Sequence, residues 1–155
     1  MIAVLQRVNS AAVRVAGHTV GEIGKGLLIL LGVGKGDTEA DADRLAAKIA
    51  ACRIFCDEAD KMNLSLADIG GGALVVSNFT LLADYSHGNR PSYFDAAPPL
   101  AADALYRYFC NALRPRVANL ATGEFGADMK ISAQLDGPVT IILDSEKDLA
   151  QANNR

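Results

Sequence analysis

The sequence contains few of the residues on which most hydrolytic and metal sites depend. Among 155 residues there are only 2 histidines and 3 cysteines, and the cysteine number is odd. An odd number in a reducing context argues against a disulfide framework. The spacing of Cys52 and Cys56 is not that of a zinc knuckle, and no histidine lies near them in the sequence. We therefore expect no metal and no cofactor, and we expect Cys52, Cys56 and Cys110 to be small buried hydrophobic residues.

Long apolar runs and an excess of positive charge are also absent. The longest apolar run, residues 27–31, has the length of a strand and is too short to span a membrane. No basic leader precedes a long apolar stretch at the N-terminus, so the sequence predicts a soluble cytoplasmic protein with no membrane partner. The net charge of -3 gives no support to a large nucleic-acid footprint, since proteins that bind many phosphates are usually basic, and it fits only a small local contact with RNA.

The periodicity of apolar residues predicts a mixed α/β fold. Alternation predicts strands at residues 2–8, 11–15, 19–23, 73–77, 117–122, 129–135 and 139–143, and residues 27–33 form a doubly buried strand. Helical spacing predicts helices over residues 38–51 and 100–113. On the second helix we expect the packing stripe to be Ala101, Leu105, Tyr108 and Ala112. Residues 1–143 are predicted to form one domain, followed by a polar, disordered tail at 144–155.

Two short segments are the most informative part of the chain. Ser77-Asn78-Phe79-Thr80-Leu81 ends a predicted strand and offers hydroxyls and free backbone N–H groups, which are suited to holding an oxyanion. Asp136-Gly137-Pro138-Val139-Thr140 lies between two predicted strands. A Gly-Pro step cannot form an ordinary two-residue hairpin, so we expect a turn that directs carbonyls outward, with a cis peptide before Pro138. Together the segments suggest ester or amide hydrolysis. The alternative is that Ser77 and Thr80 only cap a strand end.

The sequence offers no obvious general base for that hydrolysis. His87, in a glycine-bearing loop, is the better placed of the two histidines, but a loop histidine is commonly exposed without a chemical role. Thr80 is a weak nucleophile that could instead orient water, while N–H groups around Phe79 and Thr80 stabilise a tetrahedral oxyanion.

Nine blocks of the sequence resemble the D-aminoacyl-tRNA deacylase family, in the order in which that family has them. They run from Met1 to about Leu143 and include these segments: Met1 to Val8, Leu27 to Val33, Arg53 to Phe55, Lys61 to Leu64, Ser77 to Leu81, Arg90 to Ser92, Thr122-Gly123, Ala127 to Met129 and Asp136 to Thr140. Several of these blocks are individually unusual. The resemblance therefore covers nearly the whole chain.

The resemblance implies hydrolysis of the ester that joins a D-amino acid to the terminal ribose of tRNA, as proofreading in translation. Glycine mischarged on tRNA-Ala would also be a substrate. The implied protein is a homodimer with a barrel-like β-sheet core and two main helices packed outside. In that family the Gly-Pro peptide is cis and enters the partner subunit's pocket, where its carbonyls exclude an L side chain. Carried over, this role falls to Gly137 and Pro138.

The resemblance also assigns roles to other residues. Ser77, Phe79 and Thr80 match the catalytic segment that holds the ester. Arg7 matches a position that orients the Gly-Pro motif, and Met129 a position lining the same region; the alternatives are a surface arginine and a core methionine. Asn78 stands where the family has glutamine, so a contact made by that amide would lose reach. In the family the substrate's ribose 2′-hydroxyl assists hydrolysis, which leaves Thr80 a positional role.

Two other functions fit the same sequence. A noncatalytic tRNA-binding module would keep the fold but lose turnover through Asn78. A small D-amino acid esterase would cleave simple esters without RNA.

Overall fold

Eight strands and two long helices dominate the fold, and the computed structural model describes residues 1–149. The strands are β1 (Ile2–Val15), β2 (His18–Ile23), β3 (Gly26–Gly32), β4 (Phe55–Cys56), β5 (Met62–Leu64), β6 (Gly72–Ser77), β7 (Asn119–Thr122) and β8 (Lys130–Asp144). The helices are α1 (Glu39–Ala50), α2 (Pro99–Leu113) and the short α3 (Ser145–Leu149). The predicted mixed α/β class is confirmed.

Strand β1 organises the main sheet because it is long enough to pair with three others. Its first half is antiparallel to β3, its second half is antiparallel to β2, and β8 runs along its other edge. We expected two separate strands at 2–8 and 11–15, and this was wrong. Asn9 and Ser10 are exposed, but the pairing with β8 continues past them with only a shift of register.

The sheet curls into a nearly closed barrel. Its order is β2-β1-β3-β6-β7, with parallel pairing of β3 with β6 and of β6 with β7. The end strands β2 and β7 approach each other at Gly21, where an added Cβ would collide with the main-chain oxygen of Thr122. Only glycine allows this closure, and the barrel-like core implied by the family resemblance is confirmed.

The central strands are buried on both faces, as their continuous apolar runs predict. One face of β3 and β6 contributes Ile29 and Val75 to a core shared with the helices, and the other contributes Leu28 and Leu74 to the barrel interior. Helix α1 starts after Thr38, whose N–H donates to Asp41 Oδ2 at 2.8 Å. The helices therefore cover one side of the barrel.

Helix α2 lies where it was expected, but it buries a different face. The buried residues are Ala102, Tyr106, Phe109, Cys110 and Leu113. Ala101 is exposed and the rest of the predicted stripe is half-buried, so the expectation was wrong by one residue. Two adjacent stripes of this helix are nearly equally apolar, and the Tyr106 hydroxyl settles the choice by donating to the Val75 carbonyl at 2.8 Å.

The cysteines are not all buried. Cys110 is buried in α2 and Cys52 is half-buried, whereas Cys56 is exposed. Because strand residues alternate in direction, burial of Phe55 leaves its neighbour Cys56 outside.

The C-terminal part is more ordered than expected. The strands predicted at 129–135 and 139–143 are one continuous strand, β8. Beyond it, Ser145 is buried, its N–H donates to the Met1 carbonyl at 2.9 Å, and Leu149 joins the core. The expected disordered tail is therefore wrong for residues 144–149, and residues 150–155 lie outside the described residues. In the described chain no helix is both long and apolar enough to cross a membrane.

Candidate functional site

A cleft of about 690 Å³ opens beside the carboxyl end of β6. Its walls come from the end of β3, the turn after β6, the segment leading into α2, and the segment that precedes β8. Two buried residues of α2, Ala102 and Tyr106, also line it. A volume of this size is typical of small-ligand sites.

The Ser77-to-Phe79 segment enters the cleft because the sheet holds it there. The Asn78 N–H donates to the Leu31 carbonyl at 2.8 Å, which extends the β3–β6 pairing by one residue. A 3₁₀ turn, Phe79–Leu82, follows at once and begins its bonding with Leu81 N–H to the Asn78 carbonyl at 3.3 Å. Phe79 and Thr80 come before Leu81 in the chain, so their N–H groups have no acceptor inside the turn.

Thr80 lies next to the cleft but does not line it. Its hydroxyl donates to Asn78 Oδ1 at 2.5 Å, and its side chain is exposed. Ser77, Asn78 and Phe79 do line the cleft, as does Met129. The shorter amide of Asn78 is thus engaged with Thr80.

The cleft is poor in acid–base groups. Lys35, Tyr93 and Tyr106 are the ionisable side chains that line it within residues 1–149. Burial raises the pKa of Tyr106 far above its ordinary value, with the neighbouring Cys110 acting in the same direction. Tyr106 therefore stays a neutral phenol whose proton is held by Val75. His87 lies on an exposed loop and does not line the cleft.

Three exposed aromatic residues line the cleft: Phe79, Tyr93 and Phe94. Phe79 and Tyr93 meet edge to face, with centroids 5.0 Å apart, and Lys35 Nζ lies 3.3 Å from the centroid of Phe94. Phe79 and Phe94 are 56% and 75% exposed. The sequence reasoning missed Lys35, Tyr93 and Phe94, although Tyr93 and Phe94 directly follow the Arg90-Pro91-Ser92 block.

The Gly137-Pro138 motif lies elsewhere, as a bulge in β8. Gln6 pairs with Thr140 and Val8 with Leu135. Four residues of β8, 136–139, therefore lie opposite one residue of β1, Arg7. The peptide before Pro138 is cis, as expected from the sequence. Gly137 adopts φ +144, a conformation that other residues rarely take. Both Gly137 and Pro138 are exposed, and neither lines the cleft.

Arg7 holds one end of this bulge. Its Nε donates to the Asp136 carbonyl at 3.1 Å and lies 3.1 Å from the Asp136 carboxylate. A terminal nitrogen of the same guanidinium donates to the Ile54 carbonyl at 2.8 Å. The structure therefore places the predicted residues in two groups, one in and beside the cleft and the other at the bulge.

The chain matches one family model and relatives of the same description over nearly its whole length. The family model described as D-Tyr-tRNA(Tyr) deacylase matches residues 4–144. A D-aminoacyl-tRNA deacylase from Anaeromyxobacter dehalogenans is 55% identical over 147 residues, covering 95% of this chain and 99% of the relative. One from Thermosipho melanesiensis is 56% identical over 148 residues, covering 95% and 99%.

Two solved structures share the fold. A c-Myc DNA unwinding element binding protein has a TM-score of 0.88 at 38% identity, covering 93% of this chain and 98% of that one. A probable eukaryotic D-amino acid tRNA deacylase has a TM-score of 0.82 at 15% identity, covering 92% and 97%. The second likeness concerns the fold alone.

Proposed function

The chain belongs to the D-aminoacyl-tRNA deacylase family, and we propose that its cleft hydrolyses the ester between a D-amino acid and the terminal ribose of tRNA. The products are the free D-amino acid and tRNA, and the activity serves proofreading in translation. Such a substrate implies a cytoplasmic location. The observation that carries the proposal is the cleft itself, which gathers Ser77, Asn78 and Phe79 at the end of β6.

The cleft suits an aminoacyl ester of adenosine. Its walls are largely apolar, and Phe79 and Tyr93 offer aromatic surface near the opening for a purine base. The net charge of -3 is compatible with tRNA binding if only the acceptor end is held.

The catalytic groups are main-chain atoms and the substrate's own hydroxyl. We assign the N–H groups of Phe79 and Thr80 to the developing oxyanion. The main chain of Ser77 and Asn78 holds the ester, and the Asn78 side chain positions Thr80 by accepting its hydroxyl hydrogen bond. No carboxylate or imidazole lines the cleft in the described part of the chain, which favours assistance by the ribose 2′-hydroxyl.

The chiral filter requires a second copy of the chain. Gly137 and Pro138 are exposed at the bulge of β8 and outside the lining of their own protomer's cleft. The same strand exposes Ile131, Leu135 and Ile142, an apolar surface suited to a homodimer interface. In the dimer, the carbonyls of the motif enter the partner's cleft, and Met129 lines the space that they leave.

A filter built from the main chain selects by excluded volume. Rigid carbonyls occupy the position of an L side chain, whereas a D side chain points away and glycine has none. Glycine mischarged on tRNA-Ala is therefore also a substrate.

Three substrates test the activity. Purified protein is incubated with D-tyrosyl-tRNA, L-tyrosyl-tRNA and a free D-tyrosine ester, and amino acid release is measured. Release from D-tyrosyl-tRNA alone is the expected result. Binding of tRNA without release would instead indicate a noncatalytic module, and equal cleavage of the free ester would indicate a small-molecule esterase.

Mixed dimers test whether the filter acts across the interface. Pro138→Ala is expected to let L-tyrosyl-tRNA be cleaved while the fold is kept. Ala127→Trp fills the cleft rim and is expected to abolish cleavage. When Pro138→Ala is co-refolded from urea with excess Ala127→Trp, each open cleft meets an intact motif, so D selectivity returns. Persistent cleavage of the L substrate would mean that the motif serves its own protomer.

A further inference from the structure

Phe94 lines the cleft with an exposed ring that lies beside a single cation, Lys35. The ring is 75% exposed, and Lys35 Nζ lies 3.3 Å from its centroid, within cation–π range. The two residues come from segments that pair with each other. The Lys35 N–H donates to the Asp95 carbonyl at 3.0 Å, and Gly34 forms a β-bridge with Ala96. The backbone therefore fixes this ring and this cation side by side.

Apart from the cation–π contact between them, Lys35 forms no ion pair and Phe94 forms no aromatic pair within residues 1–149. Phe79 and Tyr93 are already in contact with each other at 5.0 Å, whereas most of the Phe94 ring remains open to solvent. An exposed aromatic ring beside a free cation is the combination that single-stranded nucleic acids bind, through a base on the ring and a phosphate on the cation.

We propose that Lys35 and Phe94 form a binding site for the unpaired nucleotide that precedes the terminal adenosine of tRNA. Its base stacks on Phe94, and the phosphate that links it to the adenosine pairs with Lys35. This inference rests on the proposed function, since the adenosine must occupy the part of the same cleft that Ser77, Asn78 and Phe79 line. It accounts for how a chain of net charge -3 can hold RNA through one local phosphate contact.

The site predicts a difference between long and short substrates. Phe94→Ala should raise KM for D-tyrosyl-tRNA by about 5- to 150-fold more than KM for the D-tyrosyl ester of adenosine, the range that stacking of one base contributes. Phe94→Trp should restore most of that loss because it keeps an aromatic face. Lys35→Gln should lower the slope of log KM against log salt by about 0.7, as expected for one phosphate contact of a single strand.

Leu100→Ala is the matched control. Leu100 is 89% exposed and lies outside the cleft lining, so its removal should leave the KM values for both substrates unchanged. Circular dichroism establishes that each variant is folded. Equal losses on both substrates in Phe94→Ala, or no loss on either, would overturn the proposal.

A binding experiment separates this inference from the proposed function. Affinity for the oligonucleotide 5′-ACCA-3′ and for adenosine alone is measured by fluorescence titration, without any hydrolysis. The oligonucleotide should lose affinity in Phe94→Ala while adenosine loses much less. If the wild-type protein releases no amino acid but Phe94→Ala still loses affinity for the oligonucleotide and not for adenosine, the deacylase assignment fails and the nucleotide site stands. If hydrolysis is D-specific and the difference is missing, the nucleotide site fails alone.

Discussion

Replacement of Arg7 by alanine should destabilise the fold and loosen the Gly137-Pro138 bulge. The side chain is only 11% exposed and donates to the carbonyls of Asp136 and Ile54. Hydrogen bonds from a charged donor contribute about 1.5–3 kcal/mol each. The Asp136 carboxylate is 39% exposed, so its ion pair adds less than about 1 kcal/mol. Because the vacated space admits water to the carbonyls, we expect a net loss of about 2–4 kcal/mol.

Arg107→Ala provides the matched control, because Arg107 also pairs with an aspartate. That pair, with Asp103, joins two positions of α2 at 3.0 Å, and the arginine side chain is 70% exposed. Such a pair is worth about 0.3–0.5 kcal/mol. Urea unfolding of both variants at pH 7 measures the difference. Arg7→Lys should fall between wild type and Arg7→Ala, since one ammonium cannot span both carbonyls.

The functional consequence is measured on folded protein. Under conditions where Arg7→Ala remains native, its ratio of D- to L-tyrosyl-tRNA cleavage should fall, while Arg107→Ala keeps the wild-type ratio. If Arg7→Ala costs no more stability than Arg107→Ala, the two carbonyl bonds of Arg7 do not stabilise the fold as assigned. If a folded Arg7→Ala discriminates as well as wild type, Arg7 does not position the Gly137-Pro138 motif.

Three further predictions concern closure, the substituted amide and pH. Gly21→Ala should cost about 1–3 kcal/mol in urea unfolding, because its Cβ meets Thr122, whereas exposed Gly24→Ala stays within about 0.5. Asn78→Gln should keep kcat/KM for D-tyrosyl-tRNA within about twofold, since the main chain does the binding; a larger change would implicate the amide. Burial raises the pKa of the Cys110 thiol from 9.0 to about 11, so stability present below pH 9 is lost as the pH rises through 11. Cys110→Ala should flatten that decline; an unchanged slope would contradict it.

Local sequence patterns located most elements, because alternation and helical spacing depend on neighbouring residues. The helix starting after Thr38 and the buried strand around Ile29 follow from such patterns. The same patterns did not predict which face of a helix is buried, because a contact with another element decides it. On α2, the bond from Tyr106 to Val75 selects a face one residue away from the expected stripe.

Continuity of strands also escaped the sequence reasoning. Gly137 and Pro138 interrupt the apolar alternation and therefore looked like a boundary between two strands. Pairing with β1 carries β8 through that interruption and leaves residues 136–139 as a bulge opposite Arg7. Register depends on both strands of a pair, so the sequence of one strand does not reveal it.

The sequence alone was enough to identify the family, the order of its motifs and the residues from which a site could be built. Tertiary structure decided how those residues are grouped: Ser77, Asn78, Phe79 and Met129 line one cleft, while Gly137 and Pro138 lie outside it. It also supplied Lys35 and Phe94, which no motif had marked. Residue types and their spacing can be read from neighbouring residues in the sequence. Which residues lie close together depends instead on strand pairing and on which face of each helix is buried.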